Sequence, residues 1–119
     1  MAASGAPGGT GAAVIAFPRL QIGFDRLELQ RILDLYGRMV TAGQWRDYAM
    51  DFTRDAASFC AFRRAAERPQ ARIEKRPALR TRQGMWTLFG EAGQVLKRGH
   101  ELTGVLSPLE RRLLKLVED

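Results

Sequence analysis

The stretch from Trp45 to Arg76 constrains the fold of this chain most strongly, because it has the pattern of three successive β-strands. Its first part places the apolar residues Tyr48, Met50 and Phe52 at every second position, between small or acidic neighbours. This period of two puts alternate side chains on opposite faces of an extended chain. The first strand is therefore expected to have one apolar face and one polar face.

The next two runs continue the extended pattern. Residues 58–62 carry apolar side chains on both faces, and a strand that is covered on both sides belongs in the interior of a sheet. We therefore predict that this run forms the centre of the sheet. Pro69 interrupts the pattern, residues 71–75 alternate again, and Pro77 ends the run because proline cannot donate a ladder hydrogen bond.

Two further strands are predicted nearer the C-terminus. Residues 78–83 have no clean period and are expected to form a loop or one helical turn. Residues 85–89 are predicted to form a fourth strand and residues 94–98 a fifth, joined by a short segment that begins and ends with glycine. Such a connection between two extended runs is typical of a β-hairpin.

The sequence around Asp25 has the pattern of a helix N-terminus. The Asp25 side chain can accept from the backbone N–H of Glu28 while the Glu28 side chain reaches back, which is a capping box. Gly43 is expected to follow the end of this helix, since glycine readily adopts the left-handed conformation found there. The apolar stripe of the helix, at three- and four-residue spacing, consists of Leu29, Ile32, Leu33, Tyr36, Met39 and Val40.

The end of the chain predicts two short helices. The first covers about residues 101–106. Ser107 and Glu110 then form a second capping-box pattern, with Pro108 at the first helical position, where proline is favoured. The closing helix is therefore expected to run from Pro108 to about residue 117.

The composition fits one small domain. The chain has 119 residues, a net charge of +6 and 45% hydrophobic residues, which is enough to form a core. Residues 1–16, rich in glycine and alanine, are expected to be a disordered tail before a single α+β domain at 17–119. We predict an N-terminal amphipathic helix on one face of a five-stranded, largely antiparallel sheet, followed by short C-terminal helices. The expected core residues are Leu29, Ile32, Leu33, Tyr36, Met50, Phe52, Phe59, Phe62, Ile73, Leu88 and Leu96.

Cysteine usage and hydropathy restrict the setting of the protein. The single cysteine, Cys60, excludes an internal disulfide and a multi-cysteine zinc site. The apolar segment at 11–17 follows no basic residue and is far shorter than the ~20 residues that span a bilayer. We therefore expect a cytoplasmic protein without a metal, a cofactor or a membrane partner.

The positive charge is concentrated in one part of the chain. Residues 63–98 hold ten lysines and arginines against three acidic residues, whereas the two signs balance in residues 1–62. If the third and fifth strands present these side chains alike, they form one continuous basic surface. Its members are Arg63, Arg64, Arg68, Arg72, Lys75, Arg76, Arg80, Arg82, Lys97 and Arg98.

Three explanations of this charge stay open. A protein–protein adaptor or a homo-oligomer would use Arg63, Arg64 and the last helix. Nucleic acid or another polyanion would bind with salt-dependent affinity, and Trp86 or Phe89 would stack on bases. Alternatively, arginines on edge strands serve only to prevent edge-to-edge aggregation, which requires no ligand.

Aromatic residues offer candidate anchors for a partner. Trp45 follows the predicted helix and is interpreted as a buried side chain that packs between helix and sheet. The alternative is that Trp45, Arg46 and Trp86 are exposed anchors, a role that tryptophan and arginine often share at interfaces.

Few residues are suited to catalysis, and a non-catalytic protein is expected. His100, the single histidine, could act as a general base, but it is interpreted as a surface group or a helix start. Cys60 with His100 would be the only nucleophile–base pair. Cys60 lies in a predicted strand between aromatic residues, which favours an inert, buried thiol.

Several motifs resemble a known family. They are FDRLELQRILDLYGRMVTAGQWRDYAMDF at 24–52, SFCAFRRAAERPQARIEKRP at 58–77, and RQG with VLKRGHEL at 82–84 and 95–102. The chain resembles a small alphaproteobacterial family filed as domain of unknown function 2794, over about residues 22–106. The resemblance implies a shared architecture and localisation, and the family has no established activity that would apply to this chain.

Overall fold

The computed structural model describes residues 21–64 and 67–118, and the predicted tail at 1–16 lies outside these ranges. The described chain has two α-helices and five strands, so the α+β class is confirmed. The elements are α1 (Arg26–Thr41), β1 (Asp47–Phe52), β2 (Ala57–Phe62), β3 (Ala71–Lys75), a 3-10 turn (Pro77–Leu79), β4 (Trp86–Phe89), β5 (Val95–Gly99) and α2 (Leu102–Glu118).

The five strands form an antiparallel meander in which each strand pairs with the next along the chain. The order β1-β2-β3-β4-β5 makes β3 the middle strand and leaves β1 and β5 at the edges. The prediction that residues 58–62 form the centre is therefore wrong, although β2 is an interior strand. Its second apolar face, with Cys60 and Phe62, is only half-buried, because both described helices pack on the other face.

The N-terminus of α1 is capped as predicted. The Asp25 side chain accepts from the Glu28 N–H at 2.8 Å, and the Glu28 side chain accepts from the Asp25 N–H at 2.8 Å. Gly43, with φ of 78°, follows the helix end in the left-handed conformation. The local sequence therefore specifies where this helix begins and ends.

The core lies between the helices and one face of the sheet. Strand side chains that alternate toward the helices, such as Phe59, Ile73 and Leu88, are almost fully buried. They form one cluster with Ile32 and Leu35 of α1 and with residues of α2. The opposite face, which we call the open face, carries polar and half-buried side chains: Asp47, Ala49, Asp51, Ser58, Cys60, Phe62, Arg72, Glu74, Thr87, Phe89 and Arg98.

The C-terminal part is one continuous helix rather than the two that were predicted. Pro108 lies inside α2, so Ser107 is not a helix cap. A proline has no N–H to bond the carbonyl four residues earlier, which here is that of Gly104. The Ser107 hydroxyl instead donates to the Gly104 carbonyl at 2.8 Å, so the helix continues through the proline.

Several predicted core residues are more exposed than expected. Ile32, Phe59, Ile73 and Leu88 are buried as predicted, and Leu29, Leu33 and Tyr36 are half-buried. Met50, Phe52 and Leu96 are 37%, 39% and 45% exposed, and Phe62 lies on the open face. Met50, Phe52 and Leu96 belong to the two edge strands, which have a neighbour on one side only.

Candidate interaction surfaces

The ten predicted basic residues do not share one face of the sheet. Lys75 and Lys97 lie opposite Trp86 and Leu88 in the strand register, on the face that the helices cover. Arg72 and Arg98 lie on the open face, since neighbours along a strand alternate. The continuous surface expected from β3 and β5 is therefore divided between the two faces.

The remaining arginines lie at opposite ends of the sheet because successive strands run in opposite directions. The connection between β2 and β3 holds Arg63, Arg64 and Arg68, and we call this the 63–68 end. The connection between β3 and β4 begins at Arg76 and contains two more arginines, Arg80 and Arg82; we call this the 76–82 end. The length of the strands separates these two groups.

Lys75 is used within the fold. Its ammonium lies 2.7 Å from a Glu28 carboxylate oxygen and 2.9 Å from the Gly23 carbonyl. The Lys75 and Glu28 side chains are 13% and 16% exposed. This ion pair fastens the N-terminus of α1 to β3, so Lys75 has little charge to offer a partner.

Arg72 and Arg76 share one carboxylate. Glu74 accepts from Arg72 at 3.0 Å and from Arg76 at 3.4 Å, and its side chain is 12% exposed. The Arg72 guanidinium also lies 4.0 Å from the centre of the Phe89 ring, a stabilising cation–π arrangement. Arg72 is therefore held flat on the sheet beside one neutralising charge.

Arg98 and Lys97 bond to neutral groups. The Arg98 guanidinium donates to the Thr87 hydroxyl at 3.3 Å and to the side-chain amide oxygen (Oε1) of Gln83 at 2.8 Å. Lys97 donates to the Ser107 hydroxyl at 3.2 Å. Neither side chain forms an ion pair with a described carboxylate.

Seven of the ten basic side chains make no ion pair with any carboxylate in the described part of the chain. All seven residues are exposed. They are Arg63, Arg64, Arg68, Arg80, Arg82, Lys97 and Arg98.

A cleft of about 270 Å³ lies next to the 63–68 end. Its walls include Arg68, Pro69, Arg72 and Phe89, together with the β4–β5 turn at Gly90–Gly93. Two guanidinium groups and an aromatic ring thus meet in one shallow depression, with one carboxylate, Glu91, on its rim. The sequence placed these residues in separate strands, and only the register of β3 with β4 brings Arg72 next to Phe89.

A larger groove, of about 710 Å³, lies between the two helices. It is lined by Gly37, Ala42, Leu113 and Leu116, with Asp34, Arg38 and Thr41 also at its wall. Arg38 pairs with Glu110 at 3.1 Å and with Asp34 at 3.5 Å. This groove was not predicted from the sequence, where the small residues at positions 37 and 42 are its only signal.

The candidate aromatic anchors are not exposed. Trp45 is 3% and Trp86 is 2% exposed, and both belong to the core. The packing interpretation of Trp45 is therefore right, and neither ring can stack on a ligand. Arg46 is exposed, and Phe89 is the aromatic residue of the predicted stacking pair that lies on the open face.

The residues considered for catalysis lie apart. Cys60 is on the open face of β2, whereas His100 is exposed just after β5. Strands β2 and β5 are three inter-strand spacings apart, or about 14 Å across the sheet. Burial raises the pKa of the Cys60 thiol, and the Arg72 guanidinium opposite it lowers the pKa only in part. The described residues also contain no group of three or more His, Cys, Asp or Glu side chains that could hold a metal ion.

Among the described residues, no helix has the length and apolar character needed to cross a bilayer.

Comparisons with known proteins identify the family. A search of curated proteins and a search of solved structures each found no match. The family described as "Protein of unknown function (DUF2794)" matches residues 22–106, from the segment before α1 to the first turns of α2. Because this match covers most of the chain, including all five strands, the protein belongs to that family.

Proposed function

We propose that the protein is a non-catalytic interaction module that binds an acidic segment of another protein at the 63–68 end of its sheet. The observation that carries this proposal is the group of exposed arginines there, Arg63, Arg64 and Arg68, none of which pairs with a described carboxylate. Uncompensated charge of one sign attracts and orients a partner of the opposite sign.

The position of these arginines argues against a purely protective role. Arginines prevent aggregation when they lie on edge strands. The 63–68 end connects β2 and β3, both of which are paired on two sides. Only Lys97 and Arg98 lie on an edge strand, so edge protection does not account for the 63–68 end.

The adjacent cleft provides a place where a carboxylate can be recognised. Arg72 is fixed by Glu74 and by the Phe89 ring, so little rotamer freedom remains to be lost on binding. Arg68 faces the same cleft. Guanidinium groups bind carboxylates through two parallel hydrogen bonds, and we infer that an aspartate or glutamate of the partner enters here.

A second candidate function is the binding of single-stranded nucleic acid. It is supported by the open face, where Phe89 lies beside Arg72, in the manner of surfaces that stack bases and hold phosphates. Against it, the same face carries Asp47 and Asp51 on β1, which repel a phosphate backbone. We therefore favour the acidic protein segment.

Fluorescence anisotropy at about 50 mM salt separates the two functions. The probes are a labelled peptide with alternating glutamate and leucine residues and a labelled 20-nucleotide single strand. The triple variant Arg63→Glu/Arg64→Glu/Arg68→Glu is compared with Arg80→Glu/Arg82→Glu, a charge-reversal control at the other end of the sheet. We expect peptide binding that the triple variant abolishes and the control largely keeps, and that weakens as salt rises.

Two results would contradict the proposal. One is a peptide that does not bind the unmodified chain, and the other is an equal loss in both variants, since the 63–68 end would then have no special role. Tight binding of the oligonucleotide that Phe89→Ala weakens by about tenfold, as expected for loss of one or two stacked bases, would favour the second function instead.

A further inference from the structure

The two edges of the sheet differ in how well they are protected against pairing. β5 has an irregular register at Leu88 and Phe89 and exposes Lys97 and Arg98, and such bulges and cations blunt an edge. β1 has six consecutive regular pairs with β2 and contains no proline, glycine, lysine or arginine, and its two charged residues, Asp47 and Asp51, lie on the open face. Among the described residues no strand pairs with its outer side, and the Ile22 N–H donates to the Thr53 carbonyl at 2.7 Å just beyond the end of β1. Within the part of the chain that the structure describes, β1 is therefore the open edge.

The backbone groups on the outer side of β1 can be assigned from the register. The Thr53 N–H donates to the Ala56 carbonyl at 2.9 Å, and hydrogen-bonded and non-bonded pairs alternate along an antiparallel ladder. Ala49 and Asp51 consequently bond to β2, whereas Tyr48, Met50 and Phe52 point their N–H and C=O groups outward. The Tyr48 N–H accordingly bonds to the Asp47 carboxylate at 3.1 Å rather than to β2.

The same three outward-bonding residues carry an exposed apolar stripe. Tyr48, Met50 and Phe52 are 42%, 37% and 39% exposed. The stripe continues the core, because Tyr48 packs on Tyr36 and Phe59, and Phe52 packs on Phe24. A strand that offers both unpaired backbone groups and apolar side chains is suited to the addition of another strand.

We propose that the occupant of this edge is β1 of a second copy of the chain, in an antiparallel pair centred on Met50. In this register Met50 lies opposite Met50 of the second copy, and Tyr48 lies opposite its Phe52. The three outward residues of each copy then exchange six N–H···O=C bonds, two of which form when the Tyr48 N–H leaves the Asp47 carboxylate, and the two sheets become one sheet of ten strands. A two-fold arrangement of this kind is closed and does not propagate into fibres.

Charge selects this register over its neighbours. Outward-bonding residues of the two copies must face each other, so one strand can shift along the other only by two residues at a time. The neighbouring register in one direction places Asp47 directly opposite Asp51 of the second copy, and the one in the other direction places Asp51 opposite Asp51. Like charges directly opposite each other are destabilising. The register centred on Met50 places Asp51 opposite Ala49 and Asp47 opposite Thr53, so no two carboxylates are directly opposed.

The carboxylates remain diagonal neighbours at roughly 7–8 Å, which gives the pairing a distinctive salt dependence. Salt screens this repulsion, so the dimer becomes stronger as salt rises. Binding at the 63–68 end has the opposite dependence. The two proposals therefore succeed or fail separately.

The test uses the full chain. Sedimentation equilibrium from 1 to about 200 µM is combined with residue-resolved hydrogen exchange at 50 and 500 mM NaCl. We expect a monomer–dimer equilibrium that tightens with salt, and outward amides of Met50 and Phe52 that become protected as the dimer forms; the Tyr48 amide is left out because it bonds to the Asp47 carboxylate in the monomer. The amides of Ala49 and Asp51 bond to β2 and serve as the internal reference, protected at every concentration.

Variants complete the test. Met50→Lys places two ammonium groups together at the two-fold axis and is expected to weaken the dimer at least tenfold. Leu114→Lys makes the same kind of change at another exposed apolar residue, 63% exposed, and should leave the dimer unchanged. Asp51→Asn should tighten the dimer by about threefold, since it removes the diagonal repulsion between Asp51 and the carboxylates of the second copy.

Three outcomes would overturn the proposal. The first is a monomer at all concentrations with outward amides that exchange freely. The second is protection of those amides in a monomer, because the edge would then be covered by the chain itself. The third is a dimer that survives Met50→Lys or weakens with salt, because another surface would then form it. Thermal unfolding of each variant verifies that it is folded, and Asp51→Asn provides a test even if Met50→Lys does not fold.

Discussion

Removal of the Glu28 carboxylate should destabilise the protein far more than removal of any exposed carboxylate on the same helix. Glu28 has two partners: it accepts from the Asp25 N–H as half of the capping box, and it pairs with Lys75 on β3 at 2.7 Å. In Glu28→Ala both interactions are lost, and the Lys75 ammonium keeps the Gly23 carbonyl and the face of the Trp86 ring, 5.8 Å away, in a site where it is 13% exposed.

The size of the effect follows from the burial of the pair. Breaking a fully buried ion pair costs about 3–5 kcal/mol, because one charge is left without its partner. Both side chains here retain some exposure, so we expect the pair to contribute about 2 kcal/mol. The lost half of the capping box adds about 1 kcal/mol. The total for Glu28→Ala is about 3 kcal/mol, whereas Glu28→Gln keeps an acceptor and should cost about half as much.

Urea unfolding at pH 7 measures these free energies. The fluorescence of the buried Trp45 and Trp86 reports on the core, and circular dichroism at 222 nm reports on the helices. Asp34→Ala is the matched control, because Asp34 forms an i,i+4 pair on α1 with Arg38 and its side chain is 71% exposed. Such exposed pairs contribute only about 0.3–0.5 kcal/mol.

A double-mutant cycle isolates the ion pair from the cap. Lys75→Met removes the ammonium while keeping most of the stem, and the coupling free energy with Glu28→Ala should be about 2 kcal/mol. The reasoning is refuted if Glu28→Ala costs no more than Asp34→Ala. It is also refuted if the coupling is close to zero, since α1 would then be fastened to β3 by apolar packing alone.

Three further predictions, two from pairs of substitutions and one from thiol alkylation, test other local features of the fold. Ser107→Ala leaves the Gly104 carbonyl without its 2.8 Å donor inside α2 and should lower the free energy of unfolding by about 1 kcal/mol. Pro108→Ala restores the missing backbone N–H and should not destabilise the protein. Equal losses for the two variants in urea unfolding would contradict this. Gly84→Ala should cost more than about 3 kcal/mol, because its Cβ would lie 2.3 Å from the Gly99 backbone, a clash well beyond ordinary overpacking. Gly93→Ala also has a positive φ but has open space, so it should cost only about 1–2 kcal/mol, and similar melting temperatures for the two variants would refute the contact. Burial raises the pKa of Cys60, so iodoacetamide should modify the native thiol at pH 8 more slowly than the urea-unfolded thiol. Equal alkylation rates would show that the thiol is not protected. Because the pKa of Cys60 is raised in the folded state, its contribution to stability is fully present at pH values below the ordinary pKa of a thiol. That contribution is lost as the pH rises through the raised pKa.

Most features of the fold that depend on residues close together in the chain were predicted correctly, and several that depend on distant residues were not. The capping box at Asp25 and the glycine after α1 were predicted because each depends on residues within a few positions of one another. The five strands were predicted because each extended run, and the glycine, proline or polar turn residues that bound it, lie within a few positions of one another. The second helix was divided wrongly at Pro108, since the sequence pattern of Ser107 and Glu110 suited a cap, while the packing of both halves against the same core favours one helix.

The candidate binding residues illustrate the same limit. The sequence located the excess positive charge between residues 63 and 98, which is a matter of counting. It did not show that Lys75 would pair with Glu28, 47 residues away, or that Arg72 would lie on Phe89. Both contacts depend on the strand register and on where α1 crosses the sheet.

The amino-acid sequence alone determined the local elements, the ends of the first helix and the alternation that gives each strand its two faces, because these depend on residues close together in the chain. The tertiary structure decided which strands became edges, which face the helices cover and which arginines keep an uncompensated charge. Those properties arise from pairing between distant segments: a strand has an open edge only because no other part of the sheet takes that place, and Tyr48, Met50 and Phe52 are exposed for that reason.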